Sequence, residues 1–221
     1  MRRKAGDIIR EALRETKLAE NRANPIGAGS YGVVYESDIP GNVIKQSTKA
    51  RGDAAEALMN EINMQSIAAD MGLAPRVESV ETFRGGIGDR FEMQDVRRNF
   101  EQAPESRATD VGVAKQQGQL ALAGVRLEDR NPGNVYRNKM APNQLRQIDF
   151  GISGPVSGVD QIQALTEATA EGFSAAGISD VGDIFRATVY DLLEGGDDIA
   201  AMDVAKQGFS RLQKIRPDLL V

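Results

Sequence analysis

The chain has 221 residues, 41% of them hydrophobic, with 27 Lys and Arg against 32 Asp and Glu for a formal net charge of −5, the composition of a globular protein with a sizeable core. It contains no Cys and no His, which excludes disulfides, thiolate nucleophiles, Ser-His-Asp triads and His-ligated metals and leaves acid–base chemistry to Asp, Glu, Lys or Tyr. The acidic balance argues against a broad nucleic-acid surface, no apolar run reaches the roughly 20 residues of a membrane span, and Met1-Arg2-Arg3-Lys4 leads into no signal-peptide core, so a cytoplasmic protein without a membrane partner is expected.

Residues 7–20 have the spacing of an amphipathic helix, with Ile8, Ile9, Ala12, Leu13 and Leu18 along one stripe. Asn24-Pro25 breaks it. Such a helix either packs on the domain behind it or serves as an arm for a partner. The period then changes. Gly27-Ala28-Gly29-Ser30-Tyr31-Gly32 leads into Val33-Val34-Tyr35, whose side chains favour a strand, and after Pro40-Gly41-Asn42 a returning strand starts at Val43-Ile44-Lys45. Residues 52–72 read as a helix with Ala54, Ala55, Leu58, Ile62, Gln65 and Ala69 near one face and Gly72 at its end. Two strands are expected over 75–83 and 89–96 around Arg84-Gly85-Gly86-Ile87-Gly88, then a polar connector over 97–106. Residues 108–123 are helical, Val125 to Gly151 form a loop, a short hairpin and another loop, and 159–215 are helical with breaks near Gly177 and Gly195-Gly196. A strand-rich first half before a helical second half predicts an α+β fold in two lobes. The expected division is a helical extension over 1–24, a first lobe over 25–96 and a second over 97–221.

The glycine run is not read as a dinucleotide site. That site needs the glycines to open a helix, so that the helix N-terminus meets the pyrophosphate. Val33-Val34-Tyr35 opens a helix poorly, even though Asp53 stands near the place of a ribose-binding acid. No Gly-Lys-Ser/Thr follows, which excludes the Walker loop. Two readings remain: a plain glycine-rich turn, or a hairpin whose tip covers nucleotide phosphates with its backbone N–H groups.

The sharpest local signal is Leu127-Glu128-Asp129-Arg130-Asn131-Pro132-Gly133-Asn134-Val135, where an Asp and an Asn flank a Pro-Gly turn. Asp149-Phe150-Gly151 follows a short hairpin with arms Val135-Tyr136 and Leu145-Arg146-Gln147-Ile148. Taken with Gly27-x-Gly29-x-x-Gly32-x-Val34 and Val43-Ile44-Lys45, these motifs resemble the protein kinase-like superfamily over about residues 25–151, in the family's order. The resemblance implies a kinase-like fold, with an antiparallel-sheet N-lobe carrying one main helix and a short helical C-lobe. It implies ATP as phosphate donor and Mg²⁺ as cofactor, with Mn²⁺ as a substitute. The loop Gly27, Ala28, Gly29, Ser30, Tyr31, Gly32 and Val34 would cover the nucleotide. Lys45 would hold its α/β-phosphates and be held in turn by Glu61, with Glu56 the second choice. Met93 and Asp95 would lie at the hinge beside the adenine, where backbone groups do the recognising. Phe83, Phe91 and Met93 read as strand core. Asn134 and Asp149 offer hard oxygen ligands suited to Mg²⁺. Asp129 would orient the acceptor hydroxyl and take its proton, so the absence of His costs nothing. Phosphoryl transfer needs positioning and charge neutralisation above all, which these residue types supply. Each also has a plain structural reading: Lys45 as a solvated strand-end lysine, Glu61 as an exposed helix residue, Asp129, Asn134 and Asp149 as turn residues.

The chain departs from the family at Leu127-Glu128, where His-Arg is usual, and at Asn131, where protein Ser/Thr kinases carry a Lys; Asn131 is grouped with Asp129 and Lys45 as a catalytic candidate. The Asp-x-x-Pro-Gly-Asn form looks like aminoglycoside phosphotransferase-like enzymes, whereas the glycine loop and Asp-Phe-Gly look like protein kinases. After Gly151 there is no Ala-Pro-Glu motif. Asp180 is a candidate anchor for the Asp129 loop, and Ser153, Ser157 and Thr166 read as ordinary polar residues rather than phosphosites. The resemblance implies transfer of the γ-phosphate to a Ser/Thr hydroxyl on protein, the chain itself included. The alternatives are a small-molecule kinase and a non-catalytic, pseudokinase-type binding or regulatory module. The partners are then ATP and an acceptor that is either a protein or a small molecule.

Overall fold

The computed structural model describes residues 5–29, 32–48, 53–81, 89–129, 131–217 and 220; the side chains of 5–10, 29 and 53–55 are outside the described set. The fold is α+β, with antiparallel sheets and six α-helices among the described residues. Helix α1 (Ala5–Ala23) precedes β1 (Gly27–Gly29), β2 (Gly32–Glu36) and β3 (Asn42–Ser47). Helix α2 (Asp53–Asp70), β4 (Val77–Glu81) and β5 (Arg90–Gln94) follow. The five strands form one sheet in the order β1-β2-β3-β5-β4, with a bulge in β4 between Val77 and Ser79. The segment between β4 and β5, with Phe83 and Arg84 to Gly88, lies outside the described residues.

Both faces of β3 are covered, and Val43, Ile44 and Lys45 in succession are buried. Val43 points toward α2 and packs with Leu58, Ile62, Phe91 and Met93. Ile44 points the other way, because successive strand residues alternate, and packs with Tyr35 and with Leu18 of α1. The N-terminal helix therefore caps the outer face of the sheet. Its charged side chains finish the contact: Arg14 pairs with Asp38 at 3.1 Å, and Glu15 receives Arg90 at 3.3 Å.

After β5, Asp95 caps a single 3-10 turn over Val96–Arg98 by accepting from the Arg97 N–H. The segment expected as a plain connector then holds a strand, β6 (Phe100–Gln102). Helix α3 (Arg107–Leu122) starts at Ser106, whose Oγ accepts from the Thr109 N–H at 3.2 Å. Next come β7 (Val125–Arg126), β8 (Val135–Asn138), β9 (Leu145–Gln147) and β10 (Gly154–Pro155). The order β6-β8-β9 makes a small sheet, and β7 pairs with β10 around the Asp129 and Asp149 turns. Helices α4 (Gly158–Ala175), α5 (Ser179–Glu194) and α6 (Asp198–Lys214) complete the described elements. They break where Gly177 (φ 83°) and Gly196 (φ 77°) take the left-handed conformation that ends helices.

Two apolar clusters fix this half. Val111 and Ala114 of α3, Leu165 and Phe173 of α4, Val189 of α5 and Leu212 of α6 form one. The other joins Met64 and Ala68 of α2 to Leu73, Leu120, Val125, Leu127 and Phe150, so it ties the helix behind the large sheet to the turns of the second half. A backbone bond from the Gln147 N–H to the Leu73 carbonyl, 2.8 Å, runs beside it. No described helix is long and apolar enough to cross a membrane.

Candidate active site

The glycine hairpin is the first wall. β1 and β2 pair with Gly29 opposite Gly32 and Gly27 opposite Val34, so the glycines sit where the hairpin turns. Gly32 is required by close packing: a Cβ there would stand 2.6 Å from the Gln46 carbonyl oxygen of β3. Val34 is half-buried against the sheet core. Ala28 stands opposite Val33 in the pairing. Ser30 and Tyr31 at the tip lie outside the described residues, as does Arg130 in the later turn.

Lys45 lies in the middle of β3, paired with Val34 on one side and Phe91 on the other. It is not solvated, being 7% exposed. Its Nζ donates to Glu61 Oε1 at 2.5 Å and to Asp149 Oδ1 at 2.9 Å. Glu61 is buried by α2, whereas Glu56 of the same helix is exposed. Burial works against the Lys45 charge, but Glu61 and Asp149 outweigh it and hold its pKa above the ordinary value. Burial raises the Glu61 carboxyl above its usual range, with Lys45 opposing it. The ammonium is therefore fixed between a buried carboxylate and the more open Asp149, whose side chain is 38% exposed.

Asp149 is the one non-glycine residue with positive φ, 63°, among the described residues, a conformation that Asp tolerates better than most residues. It is held there from both sides. Ile148 N–H donates to the Asn134 carbonyl at 2.9 Å, and Phe150 is wholly buried. Gly151 N–H then donates back to Asp149 Oδ1 at 3.3 Å. The side chain is consequently presented to Lys45 while its neighbour serves the core. Strain of this kind concentrates at functional sites.

The Asp129 turn is built from its own polar groups. Asp129 Oδ1 accepts from the Asn131 N–H, and Oδ2 accepts from Asn134 Nδ2, both at 2.9 Å. Asn131 Oδ1 accepts from the Gly133 N–H at 2.9 Å and caps the 3-10 turn over Pro132–Asn134. The oxygen of Asn131 therefore shapes the loop. Leu127 is buried against Phe150 in the same cluster, so its apolar character is required by packing. The bond from Ile148 to the Asn134 carbonyl puts residue 134 beside Asp149. Asn134 Oδ1 and Asp149 Oδ2 accept no hydrogen bond among the described residues. They are the oxygens on hand for a hard cation. No group of three or more acidic side chains converges among the described residues, so other ligands would come from elsewhere.

The remaining candidates divide. The Met93 side chain is in the sheet core, where its sulfur accepts from Gln65 Nε2 at 3.2 Å. Asp95 is committed to Arg97 at 2.8 Å, and Arg97 helps to hold its carboxyl below the ordinary value against the opposing effect of burial. The N–H groups of Gln94 and Asp95 donate to the carbonyls of Arg76 and Gly41. Asp180 is exposed in the first turn of α5, and no bond among the described residues ties it to the Asp129 turn. Thr166 is buried and returns its hydroxyl to the Ile162 carbonyl at 2.7 Å. Asn60, unremarked in the sequence, donates from Nδ2 to the Ser153 carbonyl at 2.5 Å and fastens α2 to the segment after Gly151. Its only sequence signal is its place beside Glu61.

Fold and site together define an α+β protein with a buried Lys–Glu pair facing a strained Asp turn, next to an interlocked Asp/Asn loop. Compared with known protein families and with curated proteins, the chain finds no match in either.

Proposed function

We propose that the chain is a two-lobed, protein kinase-like phosphotransferase that uses ATP with Mg²⁺ and passes the γ-phosphate to a Ser/Thr hydroxyl on protein, itself included. The observation that carries this reading is the position of Lys45, held by Glu61 at 2.5 Å and facing Asp149 at 2.9 Å. Support comes from the sheet order β1-β2-β3-β5-β4 with its glycine hairpin at one edge, and from the pairing of β7 with β10 around the two acidic turns.

In this reading Glu61 keeps the Lys45 ammonium aimed while Lys45 binds phosphate oxygens as a fixed charge. The glycine hairpin closes over the phosphates. Asn134 and Asp149 would hold Mg²⁺, for which Mn²⁺ can substitute, and the metal supplies charge neutralisation at the phosphates. Asp129 has its carboxylate locked by Asn131 and Asn134, so it orients the acceptor hydroxyl and receives its proton. Asn131 is a positioning residue that sets the loop. A base recognised along residues 93–95 meets carbonyl groups there, because the Gln94 and Asp95 N–H groups are already bonded.

One observation favours a small-molecule acceptor as the second reading. Only a short stretch separates Gly151 from the start of α4 at Gly158, which leaves little chain to cradle a peptide. The deciding experiment is transfer of labelled γ-phosphate from ATP by wild type and Asp129→Ala, alone and with a generic protein acceptor. Label on protein that falls by about 10²–10⁴-fold in the variant is expected for a lost general base. ATP binding without protein labelling would move the assignment to a metabolite acceptor or a regulatory module. No ATP binding would overturn the proposal.

A further inference from the structure

A cavity of about 1490 Å³ lies elsewhere. Its walls run from the turn at Pro40–Asn42, past Gln94 to Phe100, to α3, the turn between β8 and β9, and the end of α6. None of Lys45, Glu61, Asp129, Asn134 or Asp149 lines it. Although the chain is acidic overall, four lining side chains are cationic: Arg98, Lys115, Lys139 and Arg146. Among the described residues the sole lining carboxylate is Asp95, which is already paired with Arg97 at 2.8 Å.

None of the four cations forms an ion pair within 4.0 Å among the described residues, although the charge of Arg98 acts on the Asp95 carboxyl at longer range. Lys139 donates to the carbonyls of Arg97 and Arg98 at 2.9 and 3.2 Å, and Lys115 donates to those of Gln213 and Ile215. Carbonyls orient an ammonium but leave its net charge standing. The Arg146 guanidinium lies over the Phe100 ring, 4.6 Å from its centroid. Burial, and then the like charge of Arg76, pull the Arg146 pKa below its ordinary value, and burial does the same for Lys115. These are the signs of positive charges that lack a counter-ion.

Shape and spacing select the occupant. The volume exceeds the roughly 300–1,000 Å³ of a small-molecule site. The cations come from four different stretches of chain, with Arg98 against Gly41 and Lys115 against the end of α6, so positive charge is supplied from several walls rather than from one loop. Among the described residues the single lining aromatic, Phe100, is buried under Arg146 and offers no platform for stacking bases. Amide side chains such as Gln94, Asn99, Gln119 and Asn143 line the walls between the charges. They can donate to or accept from an extended backbone. We propose that this cavity docks an acidic peptide segment of a protein partner, with carboxylates meeting Arg98 and Arg146. The proposal goes beyond the phosphotransferase reading and does not depend on it.

The test is fluorescence anisotropy of the full chain with three labelled probes of equal length: a Glu/Ser alternating peptide, its Lys/Ser counterpart, and an oligothymidine. The Glu/Ser peptide should bind, the Lys/Ser peptide should not, and binding should weaken as salt rises. Arg98→Glu, on an exposed side chain, should weaken binding by about tenfold or more. Arg146→Gln should weaken it less, and a thermal melt of each variant reports that the fold is intact. Lys45→Met should bind the peptide as wild type does, even if no ATP chemistry is ever found. Failure of the acidic peptide to bind, equal binding by the Arg98→Glu protein, or tighter binding of oligothymidine through the same arginines would overturn the proposal.

Discussion

The sheet half and the helical half bury different things. Around the five-stranded sheet, Lys45, Glu61, Arg90 and Glu92 are all buried, each with partners. Glu92 accepts from Ser37 at 2.5 Å and Asn42 at 3.1 Å, and Arg90 binds Glu81 at 2.5 Å. Among α3 to α6 the wholly buried residues are mostly apolar, including Leu165, Val189, Ala201, Ala205 and Leu212. Of the buried polar groups there, the Thr166 and Thr169 hydroxyls bond one turn back along their own helix, and the Gln116 amide bonds across to Leu145 and Gln147 of β9. A buried charge is worth its desolvation only where it is paired and geometry matters. The helical half is thus a platform, and the sheet half spends stability on holding charges in place.

The cluster where the halves meet offers the largest test. Phe150 is wholly buried among Met64, Leu73, Leu120 and Val125, so Phe150→Ala should lower the unfolding free energy by about 3–5 kcal/mol in a urea titration. If the proposed ATP site is real, the variant should also weaken ATP binding per folded molecule, because Phe150 anchors Asp149. Leu212→Ala in the helical core should cost about 2–5 kcal/mol and leave that affinity unchanged. If both variants alter binding equally, the division into platform and charge-holding half is wrong.

The second test is the buried ion pair. Lys45→Met leaves Glu61 without its counter-charge, a change that costs about 3–5 kcal/mol when one partner of a buried pair is removed. Lys45→Met with Glu61→Leu should recover most of that loss, since two apolar groups can replace a buried pair with little penalty. Urea unfolding of the single, the double and wild type measures the coupling directly. A double variant as unstable as the single would show that packing, not charge, holds this site.

Much of the sheet half and of the candidate site was legible because its signals are local. The glycine run, Val43-Ile44-Lys45 and the Asp129–Asn134 turn each lie within a few residues of chain. Even the preference for Glu61 over Glu56 has a local cause. Glu61 lies three residues after Leu58 and four before Gln65, on the buried face of α2, while Glu56 is off that face. What was not legible depends on partners far along the chain. In β6 only Phe100 is buried, and its pairing strand β8 comes after α3, so Phe100-Glu101-Gln102 reads as polar connector. The pairs Val125–Arg126 and Gly154–Pro155 are too short to show any period. The Asn60 bond to Ser153 and the stacking of Arg146 on Phe100 are likewise tertiary facts.

A smaller effect is expected at the helix caps of the platform. Asp197 accepts from the Ala200 N–H at 3.0 Å at the start of α6. Asp197→Ala should therefore cost about 1 kcal/mol by urea unfolding. Arg97→Ala, which removes the exposed contacts to Asp95 and Glu36, should cost about 0–1 kcal/mol, and less at high salt. A larger loss at Arg97 than at Asp197 would mean that the charged half depends on its surface pairs as well as its buried ones.

The smallest effect is a titration. Tyr190 donates to Glu167 Oε1 at 2.8 Å, and Arg186 binds the same carboxylate at 3.1 Å. Burial, followed by the Glu167 hydrogen bond and charge, pushes the Tyr190 hydroxyl up to about 12. A raised folded-state value means the folded protein holds this proton more tightly than the unfolded chain does. The stabilisation is therefore fully present below the unfolded tyrosine value of about 10 and is lost as pH climbs toward 12. In a tyrosinate absorbance titration of the folded protein, Tyr190 should ionise late, and Tyr190→Phe should remove that contribution. Glu167→Gln should move it back toward the ordinary value, because the carboxylate charge that opposes ionisation is gone. If the late step survives Tyr190→Phe, it belongs to a tyrosine outside α3 to α6, and the Glu167 network is not what holds that proton.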